Sequence, residues 1–483
     1  MARIGLGRGA AVAGACLALL VAADANASPF ELYGAGARGA ALGNAMTAEA
    51  SGADAVFYNV AGLARAIPGV SIGFMVGTDN ARILLNDRPG GYEIPDFGSS
   101  TPTVPSDATL QERRDSDAMG TFGTVTLGAV TGLGSPRLRL GFLMSAPAFG
   151  VDGSSTRFSD ERERLFSNAL AYELIGSRVR RLDIEAGVAY RVLDNLSIGL
   201  GMTLQPKAST VNGVYLENAT DQSQVDINLS QSSGFSAGFT AGALLELSDW
   251  MRLGLSFRQG IGFDIDGENT IQIRGLSEED VDEYPIRQQL AWRPQSSPTM
   301  ATAGAATDLG KSTVLFDMRY TVWSGYRDSQ GEKAGFDNTI SPRLGLEYHY
   351  NDRTTARVGL SFDPTPVPDQ VGRTNYVDND RGAISVGASH NFEVRERSLS
   401  LSWFLQGQLL IQRQTSKASA VGYPVCAEGV TVLCDEVADN LRDARTGQPL
   451  PGAVGLQTEN PGFPGFSSGG WLGAIGLELT WHL

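Results

Sequence analysis

Residues 399–411 read LSLSWFLQGQLLI, and the fold follows from this stretch. Its odd positions are Leu399, Leu401, Trp403, Leu405, Gly407, Leu409 and Ile411, while Ser400, Ser402, Phe404, Gln406, Gln408 and Leu410 hold the even ones. A period of two belongs to an extended strand whose faces meet different surroundings, one apolar and one polar or crowded. Residues 235–247 repeat it, with Phe235, Ala237, Phe239, Ala241, Ala243, Leu245 and Leu247 against Ser236, Gly238, Thr240, Gly242 and Glu246. Segments 182–190, 196–204, 314–322 and 471–483 alternate as clearly.

Outward from there, fourteen such runs fall at 70–77, 119–131, 137–147, 180–191, 194–206, 232–247, 250–264, 298–309, 311–323, 338–350, 353–363, 381–391, 398–413 and 469–483. The second, eighth and twelfth are the weakest, with small residues on both faces. Short links such as Gly132–Pro136, Val192–Asn195, Gly310 and Asn351–Asp352 take turns with long connections of about 14 to 55 residues. A soluble sandwich has no reason to sort its loops by length. A transmembrane barrel does, because tight turns face one side, long loops face the other, and strand number is even. Backbone groups in lipid must all be paired, so the sheet has to close. The chain therefore reads as all-β, a 14-stranded antiparallel transmembrane β-barrel over residues 69–483, apolar toward lipid and polar or small toward the lumen. Arg252, Arg258, Arg319 and Arg343 lie on the face opposite Leu253, Phe257, Phe316 and Leu344. That placement avoids the ~2–4 kcal/mol cost of an arginine on the lipid face at midplane.

Composition closes off other classes. Among 483 residues, 38 basic and 53 acidic side chains give −15, which argues against nucleic acid as a partner. After residue 27 no apolar run approaches the ~18 residues of a membrane helix. With three cysteines and three histidines (His349, His390 and His482) the chain offers no metal-ligand spacing, and neither metal nor cofactor is expected. Cys426 and Cys434 stand eight apart in a Gly/Pro-rich stretch, where a small loop disulfide suits an oxidising compartment. The first 27 residues carry Arg3 and Arg8, an apolar core at 9–23 and Ala25-Asn26-Ala27, the pattern of a secretory signal peptide cleaved near Ala27.

Residues 28–68 lack the two-residue period and are rich in Ala and Gly. Gly34-x-Gly36-x-x-Gly39 matches the dinucleotide fingerprint, but only six residues separate the cleavage site from Gly34, so no strand precedes it. The segment reads instead as a small, partly helical hatch inside the barrel, where glycine permits close approach to the wall.

These residues carry a resemblance. Phe30-x-x-x-Gly34-x-Gly36-x-x-Gly39, followed by Asp54-Ala-Val-Phe57-Tyr58-Asn59-Val60-Ala61-Gly62-Leu63, resembles the hatch of the FadL/TodX outer-membrane transport proteins. That family usually has Asn-Pro-Ala-Gly-Leu, and here Val60 replaces the proline. Ser145-Ala-Pro147-Ala-Phe149-Gly150 is similar to the family's "PFG" region, and 194–201 and 250–258 resemble its later strands. Bacterial outer-membrane barrels usually finish on an aromatic residue, whereas this chain ends Trp481-His482-Leu483. The resemblance implies a fourteen-stranded barrel in the Gram-negative outer membrane that takes up hydrophobic molecules, long-chain fatty acids or aromatic hydrocarbons. It implies capture by outer loops, a pocket in the barrel, and release through the hatch or laterally at a kink in the third strand. The partners it implies are the hydrophobic substrate, outer-membrane lipid and lipopolysaccharide, and the barrel-assembly machinery, with the protein a monomer.

Candidate parts follow. Phe57, Tyr58, Asn59 and Ala61 line the gate or simply pack the hatch. Pro147, which lacks an amide donor, and Phe149 mark a wall opening or a strand end. An amphipathic pattern over 158–176 places Phe158, Leu165, Phe166, Leu170, Tyr172 and Leu174 on one apolar face, as a capture groove or as packing on other loops. Two other classes stay open. A diffusion porin would use inward Arg319, Asp317, Arg343, Glu347, Asp183, Glu185 and Arg191 as a charged constriction, which the hatch argues against. A receptor or adhesin would use the long 414–468 connection. An enzyme is not expected: Ser389-His390-Asn391 is the one suggestive trio, and His390 shares parity with Ile384, Val386 and Ala388.

Overall fold

In the computed structural model the alternating runs pair side by side as strands. The structure describes residues 30–86, 120–149, 170, 172, 174, 182–206, 208–219, 222–262, 265–273, 286–292, 297–326, 333–370, 376–394, 397–417, 462 and 465–483. The expected leader at 1–27, Phe158, Leu165, Phe166, Cys426 and Cys434 therefore lie outside the described residues. Three short helices open the chain, α1 Phe30–Tyr33, α2 Gly36–Ala41 and α3 Ala55–Tyr58, with a 3-10 turn at Val60–Arg65. The strands that follow are β1 Gly69–Leu85, β2 Gly120–Gly132, β3 Leu138–Phe149, β4 Asp183–Leu193, β5 Leu196–Gln205, β6 Ala208–Ala219, β7 Gln222–Ser233, β8 Ser236–Ser248 and β9 Met251–Arg258. Then come β10 Ile265–Ile273, β11 Ile286–Trp292, β12 Thr299–Leu309, β13 Ser312–Val322, β14 Thr339–His349, β15 Thr354–Asp363, β16 Arg381–Val394, β17 Arg397–Ser416 and β18 Gly465–His482.

All strands except β6, β7, β10 and β11 form one closed barrel of fourteen, antiparallel at every pairing, with β18 returning to β1. The closing register runs from Gly69↔His482 to Leu85↔Phe466, and the Leu483 amide donates to the Pro68 carbonyl at 2.9 Å. Both ends of the wall thus sit at the short-turn rim, as the loop spacing requires. Ile72, Phe74, Leu255, Phe316, Leu344, Leu405 and Ile475 are exposed on the outer surface, while Glu185, Thr240, Arg252, Asp317, Arg343 and Gln406 are buried inside. A soluble protein would carry the reverse. Trp471 and Trp481 both face outward, ten residues apart on β18. With the usual rise and tilt of barrel strands that separation spans about 25 Å, the height of a lipid-facing band between aromatic girdles.

Two expectations about element limits need correction. The connections at 206–232 and 264–298 contain β6, β7, β10 and β11, which pair with one another as a separate sheet in the order β11-β10-β7-β6. In sequence Val225, Ile227 and Leu229 alternate with Asp226, Asn228 and Ser230, a signal of the same kind as the wall's. The strands beside it are too polar to face lipid, so they pair among themselves. The other difference is length: β1 runs to Leu85 and β18 begins at Gly465, because the polar ends of these strands continue the ladder where no lipid-facing pattern is needed.

Residues 30–66 fill the lumen. A Cβ added to Gly254 would overlap the Thr47 carbonyl, and one on Gly359 would overlap the backbone of Gly43, so the inner segment touches the wall main chain to main chain. Its alanines and glycines make that approach possible. Phe404 and Leu410, the apolar residues on the polar face of β17, are buried in the cluster that also holds Tyr33, Phe122, Leu472 and Phe466.

Candidate functional site

The inner segment is pinned most tightly around α3. Asn59 takes an extended conformation (φ −159°) after the helix and starts the 3-10 turn, its Oδ1 accepting from the Ala61 amide at 3.2 Å. Its Nδ2 donates to the Thr47 carbonyl at 2.7 Å and to the Ala243 carbonyl of β8 at 3.0 Å. One amide group thereby joins the turn, the segment and the wall. The Tyr58 hydroxyl donates to Asn44 Oδ1 at 2.7 Å and accepts from the Ala35 amide at 2.9 Å. Burial pushes that phenol far above its ordinary range, so it remains a donor. Phe57 packs edge-on against Phe30 and Tyr58, with the Arg258 guanidinium 4.4 Å from its ring centroid. Arg258 also donates to the Phe57 carbonyl at 2.8 Å and pairs with Glu185. The structure brings all four gate candidates together, each buried in this joint.

Charges inside the barrel hold the segment rather than line an open constriction. Arg38 forks onto both carboxylate oxygens of Glu347 at 3.0 Å and also reaches Glu49 at 3.2 Å. Glu49 pairs in turn with Arg65 at 3.3 Å and with Arg252 at 2.7 Å, and Arg252 pairs with Asp308 at 2.6 Å. Asp317 accepts from the amides of Met46 and Thr47 and from the Thr47 hydroxyl, at 2.7–2.9 Å. Arg191 donates to the Ala64 carbonyl at 3.2 Å, and Glu478 accepts from the Ala37 amide at 2.6 Å. Buried charges demand such partners.

Above the segment, on the long-loop side, lies a polar chamber of about 40 Å³ bordered by Glu31, Met300, Arg319, Trp323, Asp363 and Arg381. At roughly 10–15 Å³ per enclosed water it has room for only a few waters in this state. Asp363 is shared by Arg343 at 2.8 Å and Arg381 at 3.4 Å. Arg319 has no hydrogen-bond or ion-pair partner among the described residues. Beside the chamber Trp323, Tyr326, Phe336 and Tyr376 form an aromatic cluster, with Tyr326 stacked on Phe336 at 4.6 Å. Sequence reasoning missed this cluster; its signal is Trp323-x-x-Tyr326 just past a strand end, in a connection otherwise polar.

The remaining candidates fall in three places. Pro147 pairs with Thr124 and Phe149 with Gly123, so β3 carries an extra residue, Ala148, in a bulge. Leu170 and Tyr172 are buried against the β1, β17 and β18 side of the lumen, whereas Leu174 is buried in the aromatic cluster. The structure thus splits the expected apolar face between two contacts.

The chain is similar in part to known proteins. A family model described as outer membrane protein transport protein (OMPP1/FadL/TodX) matches residues 171–401. The long-chain fatty acid transport protein of Escherichia coli (strain K12) is 24% identical over 218 residues, 39% of this chain and 44% of that protein, so the match spans less than half the relative's length. A crystal structure of a Pseudomonas aeruginosa FadL homologue superposes with a TM-score of 0.61 at 16% identity, over 92% of this chain and 98% of that one. That of the P. putida toluene transporter TodX gives 0.50 at 13% identity, over 93% and 98%. At such identities the superpositions speak for the fold, and the fold and the family model agree. The protein is a barrel of the Gram-negative outer membrane, and over residues 171–401, just under half of its length, it matches the OMPP1/FadL/TodX family of outer membrane transport proteins.

Proposed function

We propose that the protein is a channel for uptake of hydrophobic molecules across the outer membrane, and that its substrate is a long-chain fatty acid rather than an aromatic hydrocarbon. The observation that carries the choice is Arg319, a guanidinium with no partner among the described residues, bordering the chamber above the inner segment. A carboxylate head supplies the acceptor such a group needs, and toluene has none to offer. Met300 and Trp323 border the same chamber and suit the start of a hydrocarbon tail.

The chamber is too small for a whole substrate in this state, so uptake requires the inner segment, residues 28–68, to move as a hatch. Asn59 is the joint of that movement, with Phe57, Tyr58 and Ala61 as its packing. The bulge at Pro147 and Phe149 supports a lateral opening in β3. Capture by the outer loops uses Leu170 and Tyr172 at one contact and Leu174 at the other. The barrel works as a monomer among outer-membrane lipid and lipopolysaccharide, placed there by the barrel-assembly machinery. A general diffusion porin is disfavoured because Glu347, Asp317, Arg191 and Arg252 are engaged by the segment that fills the lumen.

The test is binding of labelled oleate to the purified barrel in detergent. Arg319→Gln removes a charge-assisted contact of roughly 1.5–3 kcal/mol, so the Kd should rise by about ten- to a hundredfold. Toluene binding should change less than twofold. Oleate binding that is unchanged in Arg319→Gln would overturn the assignment of the head group.

A further inference from the structure

The seam that closes the barrel is bridged by a side chain at one level. Arg82 of β1 and Gly469 of β18 are register partners, yet the Gly469 amide donates to the Tyr172 hydroxyl at 2.8 Å, and that hydroxyl donates to the Arg82 carbonyl at 2.8 Å. A side chain from the β3–β4 connection thus stands between the two strands. Beside it the β17–β18 register breaks between Leu410 and Arg413. There Asn379 Nδ2 bridges the carbonyls of Ile411 and Ser468 at 2.8 and 3.1 Å, while its buried Oδ1 has no partner among the described residues. A buried unpaired acceptor costs about 1–3 kcal/mol, so the wall is weak here.

On the outer surface a cleft of about 600 Å³ opens over this level, between Leu84, Leu409, Ile411 and Trp471, with Gly469 and Gly470 in its floor. Its size falls within the roughly 300–1,000 Å³ of small-molecule sites. Gly470 has φ +128°, and a Cβ there would overlap the Asn80 carbonyl, so the floor stays thin. On the lumen side an apolar cluster that includes Tyr33, Phe122, Phe404, Leu472 and Phe466 reaches from the inner segment to Tyr172. Apolar surface therefore lies on both sides of the bridged rung. The register runs unbroken from Gly69 to Leu85, so the port needs only its outermost rungs, from Arg82 to Leu85, to part.

We propose that this seam is a side port. The outer cleft seats one linear hydrocarbon chain level with the Trp471 girdle, and the Tyr172 hydroxyl is the latch between cleft and lumen. The port is distinct from the bulge at Pro147, and as a route for substrate it rests on the uptake reading above. The occupant is a single acyl chain because Leu84, Leu409, Ile411 and Trp471 give the cleft an apolar, lipid-facing side beside its polar residues Asn80, Arg82 and Gln412, at the level where chains of the outer leaflet begin.

A palmitate analogue carrying a diazirine on its chain, added to proteoliposomes of the full barrel and photolysed, tests the seat directly. Label should map to 409–412 and 467–471. Gly469→Trp, which fills the cleft from the lipid side, should cut that label at least fivefold, and Tyr172→Phe should raise it about twofold. Label spread evenly around the barrel, or unchanged in Gly469→Trp, would overturn the proposal. Heat-modifiable migration shows that each variant is folded. As a second variant, Arg82→Cys/Gly469→Cys cross-linked by oxidation should slow oleate uptake at least threefold, reversibly on reduction, against Tyr320→Cys/Ile340→Cys as a control pair on another seam. Uptake equal to the control when cross-linking is complete would remove the port's role. If cells take up no oleate while the label still maps to the cleft, the uptake reading fails and the chain site stands.

Discussion

Arg319 and Tyr58 mark two opposite uses of a buried polar group. Tyr58 has both hydrogen bonds made and holds Asn44 and Ala35 in place. Tyr58→Phe leaves an acceptor and a donor unpaired in a dry site, so the thermal midpoint should fall by the equivalent of about 1–3 kcal/mol, measured by heat-modifiable migration. Oleate binding by the folded fraction should stay within twofold. Arg319, which has no partner among the described residues, should behave the other way. Its replacement by Gln should cost affinity and leave the midpoint nearly unchanged, since no described hydrogen bond or ion pair is lost and the attraction of Asp363 and Glu31 is offset by the repulsion of Arg343. The two variants together separate a residue that builds the site from one that serves it.

At the scale of elements, the turn at Val60–Arg65 and the wall strand β13 carry the account. Val60 is the first residue of the turn, where no amide hydrogen bond is made among the described residues. Proline fits such a position, so Val60→Pro should shift stability by less than about 1 kcal/mol and leave uptake intact. Asp317→Ala on β13 removes three hydrogen bonds from Met46 and Thr47. The inner segment should loosen, and single-channel conductance in planar bilayers should rise severalfold over wild type. Asn59→Ala should do the same, because it unties Thr47 and Ala243 together. Strand positions were legible from the sequence because lipid on one side and a lumen on the other impose a strict two-residue period. The sheet of β6, β7, β10 and β11 was not, since hairpins outside the lipid need no sharp contrast between faces. The gate candidates were legible only as a cluster near Asn59. Which of them joins the wall depends on register, and register is a long-range property.

Across the whole molecule, polarity is inverted and then divided by sector. Lipid-facing Phe, Leu and Trp are legible in any one strand, but the division of the interior is not. Arg319, Arg343 and Arg381 come from β13, β14 and β16 and gather with Asp363 on one side of the lumen, while Phe122, Phe404, Leu472 and Phe466 gather on the β1, β2, β17 and β18 side. Neither group is contiguous in the chain; closure of the barrel brings each together. A polar head would be held on the first side and a tail laid along the second, an arrangement that suits an amphipathic solute. The plug of residues 30–66 leaves little aqueous path, so liposomes carrying the wild-type protein should not swell in isotonic sugar.

The most direct measurement is initial uptake of labelled oleate and of labelled toluene in a strain lacking the gene, with plasmid copies of wild type, Arg319→Gln or Asn59→Ala. The expected result is that wild type restores oleate uptake at least fivefold over the empty vector, toluene uptake changes little, and Arg319→Gln restores oleate poorly at low concentration. Toluene uptake that depends on the protein while oleate uptake does not would contradict the fatty-acid assignment, and dependence of neither solute would contradict hydrophobic uptake itself.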